Sequence, residues 1–270
     1  GLYELALRIH LRILGMVERG EASWASLGAA EQAEMEQAVA MLTEAAAQGH
    51  AKARYLLGWM YGRGYGVARD VDRAIELYTQ AVEGGYADAY VNLGVLLEDE
   101  RQDVDGAEKA YRAAIEADPG HANAHYNLGI LLKNERKDVD GAENAYRAAI
   151  KMDPGHANAH NNLAYLLLTE RRDLKAADAA YSTALAIDPT DPLPRAGRLF
   201  TRASLDEQRG RGLTAGAEQF NEAAELWGAE LGAEHEAAVM ARAAAEAART
   251  RVAKQKAKAG KGGKKGPGRK

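Results

Sequence analysis

A 35-residue self-similarity constrains this chain more than any other feature. Asn92, Asn127 and Asn162 recur in register, as do Tyr111, Tyr146 and Tyr181, and Pro119, Pro154 and Pro189. Residues 103 to 137 and 138 to 172 are identical at 26 of 35 positions. Fixed self-similarity of this length means a stack of repeats, and such a stack presents an extended surface. The expected role is therefore binding or scaffolding.

Within one repeat, two helices are expected. Residues 122 to 135 put Leu128, Ile130, Leu131 and Leu132 on a helical stripe, and 139 to 152 repeat Val139, Ala142, Ala145, Tyr146, Ala149 and Ile150 at helical spacing. Small residues at Gly129, Ala142 and Ala149 let helices approach closely, while Tyr146 fills the space between layers. Asp153-Pro154-Gly155 stops the second helix and turns the chain. Each repeat is then a helical hairpin, and the fold class is all-α, a solenoid of stacked antiparallel hairpins. A core rich in Ala and Leu suits it, since the 270 residues include only two Phe and three Trp.

These residues resemble the tetratricopeptide repeat family. Its pattern appears as Tyr90, Leu93, Gly94, Ala107, Tyr111, Ala114 and Pro119, then as His125, Leu128, Gly129, Ala142, Tyr146, Ala149 and Pro154. It appears again as His160, Leu163, Ala164, Ala177, Tyr181, Ala184 and Pro189. The usual period is 34, and the extra residue falls between the helices, where Asp103-Val104-Asp105 or Asp138-Val139-Asp140 replaces the customary Gly. Upstream, Ala53, Leu57-Gly58, Tyr61, Gly64, Gly66-Val67, Asp70, Ala74, Tyr78, Ala81 and Gly85 resemble the Sel-one-like repeat. An earlier unit of that kind is expected from residues 2 to 18 and 34 to 48, joined by a loop containing Gly20 to Gly28. The resemblance implies a right-handed superhelix with Sel-one-like repeats over 1 to 86 and three tetratricopeptide repeats over 87 to 190. A degenerate hairpin and capping helix are expected over 191 to 253, with helices at 195 to 209, 214 to 228 and 233 to 256. A disordered basic tail is expected over 254 to 270.

In the resembling family the Asn92, Asn127 and Asn162 position lies on the first helix of each hairpin, facing the groove. An Asn amide donates and accepts, so it can pair with the backbone of an extended peptide of any sequence. Stacked helices lie roughly 8 to 10 Å apart and an extended chain advances about 3.3 Å per residue, so each Asn meets about every third peptide residue. Tyr126 and Tyr165, with Val91, Val95, Ile130 and Leu168, add apolar contacts; Asn123, Asn158 and Asn161 add polar ones. A carboxylate clamp is not expected, because Asp88, Asn123, Asn127 and Asn158 stand where such members carry Lys and Arg.

Residues 254 to 270 contain Lys254, Lys256, Lys258, Lys261, Lys264, Lys265, Arg269 and Lys270 with no acid, against a whole-chain charge of −4. This segment is a candidate for salt-sensitive contact with nucleic acid or another polyanion. The pairs His121 with His125 and His156 with His160 have chelating i, i+4 spacing, but two ligands are too few, and both are expected to be structural. Gly62-Arg63-Gly64-Tyr65-Gly66 follows a helix rather than a strand, so it is expected to be a turn and not a nucleotide loop. Asp103, Asp105, Asp138 and Asp140 are expected to cap helices. Neither catalysis nor a cofactor or metal is expected.

The function anticipated is a non-catalytic scaffold that binds an extended protein or peptide segment. The alternatives are a regulatory repeat region of a larger enzyme, as in O-linked N-acetylglucosamine transferases, or a ribonucleoprotein-associated factor using the tail. The chain has no Cys and no apolar run long enough to span a bilayer. It starts at Gly1 without Met, so a fragment or processed product is expected. An intracellular site, cytoplasmic or nuclear, is anticipated, with an organelle also open.

Tyr146→Ala is predicted to cost about 3 to 5 kcal/mol if the ring is buried between helices. Urea titration checks it, and a loss below about 1 kcal/mol would contradict the packing.

Overall fold

The computed structural model describes residues 1–24 and 26–262, with side chains described as far as residue 258. Among the described residues the chain is all α, without strands. The helices are α1 (Leu2–Glu18), α2 (Ala29–Ala47), α3 (Ala51–Arg63), α4 (Val71–Glu83), α5 (Ala89–Arg101), α6 (Val104–Ala117) and α7 (Ala122–Asn134). They continue with α8 (Val139–Met152), α9 (Ala157–Thr169), α10 (Leu174–Ile187), α11 (Pro192–Gln208), α12 (Leu213–Leu231) and α13 (Glu236–Gly262). Two compact units result, Gly1–Lys137 and Asp138–Lys270.

Within the first unit, α1 pairs with α2, α3 with α4 and α5 with α6, and the first helices of successive hairpins also touch, α3 with α5 and α5 with α7. Within the second, α9 pairs with α10, α11 with α12 and α12 with α13. The core is built as the stripes require. Leu128, Leu131 and Leu132 are buried on α7, and Ala142, Ala145, Tyr146 and Ala149 on α8, whereas Ile130, Val139 and Ile150 are only half-buried.

The hairpins close on tyrosine. A Cβ added to Gly94 would lie 2.5 Å from Tyr111 Cε1, and one added to Gly58 would lie 3.1 Å from Tyr78 Cδ1. In the second unit the same device works between hairpins: a Cβ added to Gly197 on α11 would fall on the ring of Tyr181 on α10, while Ala164 stands at the position equivalent to Gly94. The glycine thus brings the helix backbone against the ring face, which a side chain would prevent.

Helix ends are satisfied by repeated side chains. Asp70, Asp103, Asp138 and Asp173 accept from backbone N–H groups in the first turns of α4, α6, α8 and α10. Asp118 and Asp153 accept from the N–H of Gly120 and Gly155, each at 2.9 Å, shaping the Asp-Pro-Gly turn. The turn inside each hairpin lies one residue earlier than the acidic triplet suggests. Gln102, Lys137 and Arg172 take left-handed backbone with φ of 54°, 55° and 55°, immediately before the capping Asp. Non-glycine residues therefore occupy the conformation that Gly64 supplies in the α3–α4 turn, at φ +76°.

Three expectations need adjustment. α2 begins at Ala29 rather than residue 34, because Ala and Glu there are strong helix formers. Asp105 and Asp140 do not cap; they lie in the first turns of α6 and α8 and pair with arginines. Helix α13 runs to Gly262, so the basic segment starts as a continuing helix rather than as a disordered tail at residue 254. Ala253, Ala257 and the intervening Lys have high helix propensity, a local preference that a burial argument overlooks. The rest of the expected tail, residues 263–270, lies outside the described residues.

The tyrosine hydroxyls meet different fates. Tyr111 Oη donates to Glu98 Oε2 at 3.0 Å, whereas Tyr181 is fully buried and its hydroxyl has no hydrogen-bond partner among the described residues. The position equivalent to Glu98 two repeats on is Leu168, which cannot accept. Tyr111→Phe should therefore cost about 1 to 2 kcal/mol, while Tyr181→Phe should be neutral or stabilising, because it removes an unpaired buried hydroxyl. Urea titration of the two variants checks the contrast, and equal losses would refute it.

Candidate peptide-binding surface

In the first unit, α5 and α7 carry Asn92 and Asn127 at the same repeat position, each half-buried. Asn92 Nδ2 donates to Tyr55 Oη at 3.1 Å, so its amide is partly engaged by the neighbouring α3. The Tyr55 ring meets Tyr86 edge-on at 4.9 Å and tilts against Tyr78 at 5.8 Å. On α7, Asn123 is exposed and Tyr126 half-buried. Val91 does not face a groove: it is buried with Ala114 and Ala124 where α5, α6 and α7 meet. Alternation along a single helix does not distinguish a groove position from one covered by the next hairpin.

In the second unit, α9 carries Asn158, exposed, and Asn161, Asn162 and Tyr165, half-buried. Here the chain partly covers its own candidate face. The Tyr165 ring lies 6.5 Å from His235, just before α13, and its hydroxyl pKa is pushed up to about 12 by burial and by the charges of Glu236 and Glu170. Leu168 is buried and lines a cleft of about 400 Å³ with Phe200, Met240, Arg172 and Glu236. The repeat pattern gives no hint of this, because α13 lies outside the period.

The histidines are structural. Nδ1 of His121 and of His156 accepts from the N–H of Ala124 and of Ala159, capping α7 and α9. His125 and His160 place Nε2 3.1 Å from the carbonyls of Pro119 and Pro154. No group of three or more metal-ligating side chains occurs among the described residues. Gly64 and Gly66 are turn residues with positive φ, and Gly66 sits against Met35.

Lys254, Lys256 and Lys258 are exposed on α13, past the last residue packed against α12. Lys261 lies on the same helix with its side chain outside the described residues, as are Lys264, Lys265, Arg269 and Lys270. Among the described residues no helix is long and apolar enough to cross a membrane.

A charge ladder accompanies the hairpins. Arg136 pairs with Asp105 and donates from Nε to Glu108 at 2.9 Å; one period later Arg171 pairs with Asp140 and donates to Glu143 at 2.9 Å. The arginine after one hairpin's first helix thus reaches back to the second helix of the hairpin before it. The signal was present in the sequence, since Arg101, Arg136 and Arg171 follow the same period as the acids.

Comparison with known families places these features. Residues 60–122, 98–138 and 126–192 match the tetratricopeptide repeat, and residues 16–50 match the Sel1 repeat. The chain is a tetratricopeptide-repeat protein with a Sel1 repeat. Residues 60 to 86, similar to Sel-one-like repeats in pattern, fall within the first tetratricopeptide match. A Sel1 repeat protein from Oxalobacter formigenes is similar at 26% identity, covering 70% of this chain and 79% of its own, with TM-score 0.53. The protective antigen c5321 of uropathogenic Escherichia coli, with an SLR fold, aligns at 18% identity over 80% of this chain and 52% of its own, TM-score 0.56. MamA aligns at 19% identity over 68% of this chain and 96% of its own, TM-score 0.51. The last two likenesses bear on fold alone. No curated protein sequence matched the chain. Tetratricopeptide and Sel1 repeats are generally non-catalytic scaffolds for protein contacts.

The ladder predicts an acid dependence. Hydrogen bonding to Arg136, and then its charge, holds the Asp105 carboxyl below its usual range; for Glu108, burial raises the pKa but the bonds from Arg112 and Arg136 outweigh it. Both folded-state values are depressed, so the stabilisation is present above the unfolded values near pH 4 and is lost as pH falls through the folded ones. Arg136→Gln should lower the urea midpoint at pH 7, and its difference from wild type should shrink at pH 3. A difference that persists at pH 3 would show that the arginine acts through packing instead.

Proposed function

We propose that this chain is a non-catalytic interaction scaffold that holds an extended peptide segment against the first helices of its tetratricopeptide hairpins. The observation that carries the reading is the recurrence of Asn92, Asn127 and Asn162 at one position of α5, α7 and α9, half-buried each time. A half-buried amide is a poor choice for helix propensity or core packing, and a good one for pairing with a peptide backbone. Asn123, Tyr126, Asn158, Asn161 and Tyr165 would supply the flanking contacts, with Tyr165 reached only beside His235. Family membership supports the non-catalytic part of the reading.

A second reading rests on α13. Residues 253 to 258 are all exposed and include Lys254, Lys256 and Lys258, so this stretch of helix is held by nothing it buries. Its chemistry suits contact with a polyanion such as nucleic acid, with affinity falling steeply as salt rises.

Peptides selected from a displayed 12-residue random library on the intact chain would be measured by fluorescence anisotropy. Asn127→Ala should weaken them about 5- to 100-fold, the effect of losing two backbone hydrogen bonds. Tyr55→Phe, which removes one of the hydrogen bonds that engage Asn92, should leave binding unchanged or tighter. Wild-type affinity in Asn127→Ala would defeat the peptide reading.

A further inference from the structure

The first unit contains a second feature that the asparagine positions do not use. A cleft of about 410 Å³ opens between the start of α1, the α2–α3 turn and the α4–α5 turn. Its walls are Tyr3, His50 and Tyr86, its floor is Ala51, Gly84 and Gly85, and Glu4 and Lys52 stand at its edge. The floor is low because it must be: a Cβ on Gly84 would lie 2.9 Å from the Ala51 Cβ, and Gly85 holds φ at +84°.

The walls are flat and fixed. Tyr3 stacks on the His50 ring at 4.6 Å and 27°, and Tyr86 meets Tyr55 edge-on. His50 Nδ1 accepts from the Ala53 N–H, so the imidazole is held with its Nε2–H outward while it caps α3. Arg54 joins the turns, donating to the carbonyls of Ala46 and Gln80 at 3.1 Å each, and does not line the cleft.

The local field is negative. Burial raises the Tyr3 phenol pKa, and Glu4 raises it further; burial likewise raises Tyr86, assisted by a hydrogen bond to Asp88 and its charge. No cation appears among the causes of either shift, and Lys52, at the cleft's edge, is exposed. The whole unit is acidic, with 14 Lys and Arg against 21 Asp and Glu over residues 1 to 137, a difference of −7.

We infer that this cleft is a binding site for an arginine side chain of a partner protein, with the guanidinium plane lying against Tyr3 and Tyr86 and its N–H groups directed to Glu4. Arginine fits better than lysine because a planar, weakly hydrated cation stacks on a ring and forks onto a carboxylate, whereas an ammonium is a hydrated point charge. An aromatic ligand would use the walls but leave the carboxylate unanswered. Neither Asn92 nor Asn127 lines the cleft, so Glu4→Gln tests this inference and Asn127→Ala the peptide-backbone reading, and the two fail separately.

The test is an NMR titration of the intact chain with three probes, the peptides acetyl-Gly-Arg-Gly-amide, its lysine counterpart and its citrulline counterpart, which keeps the shape but not the charge. The arginine peptide should shift the signals of Tyr3, His50 and Tyr86 with Kd on the order of 1 mM, and citrulline should bind at least about 10-fold more weakly. Glu4→Gln, at an exposed position, should reduce arginine binding about 3- to 10-fold, and Lys52→Gln should strengthen it. Equal binding of the citrulline peptide, wild-type affinity in Glu4→Gln, or shifts elsewhere but not at these three residues would each overturn the site.

Discussion

The contact on which the rest of this structure depends is a tyrosine ring laid against a helix that has given up its side chain. Tyr78 at Gly58 and Tyr111 at Gly94 make this contact inside a hairpin, and Tyr181 at Gly197 makes it between one hairpin and the next. A large flat ring against bare backbone maximises buried area at the shortest helix separation, and dispersion and the hydrophobic effect both reward that. With the α5–α6 hairpin closed this way, Ala114 packs with Val91 and with Ala124 of the next hairpin.

That packing consumes the core face of every helix and leaves the other faces available for variation. The repeats keep their rings and alanines while the groups around them vary, as the surroundings of the tyrosine hydroxyls show. Tyr111 has an acceptor in Glu98, whereas Tyr181 is fully buried and Leu168 stands at the position equivalent to Glu98. A buried orphan hydroxyl is tolerated because the ring carries most of the free energy, and the missing bond costs only a fraction of it. The arginine ladder shows the opposite behaviour: Arg136 and Arg171 meet the same pair of acids one period apart.

Much of the architecture was legible in advance. The period, the helix pairs and the Asp-Pro-Gly turns all follow from spacing and propensity; α8 spans the expected 139 to 152, and α7 ends at Asn134, one residue before the expected limit. The candidate site was legible only in part. Asn92, Asn127 and Asn162 stood out because repetition exposed them, but the bond from Asn92 to Tyr55 spans 37 residues and answers to no period. Tyr3, His50 and Tyr86 gave no signal for a similar reason: each belongs to a different element, and only folding brings them around one cleft.

By itself, the sequence determined the repeat, its helices and the residues that close each hairpin, because these are local contacts governed by helical periodicity and by short-range sterics. Tertiary structure alone decided which polar groups are spoken for. It placed Val91 in the core, put His235 and Glu236 beside Tyr165, and carried α13 beyond its packed face into the basic segment. The physical reason is that burial and electrostatic environment are sums over neighbours distant in the chain, and a one-dimensional pattern records those neighbours only where they happen to repeat.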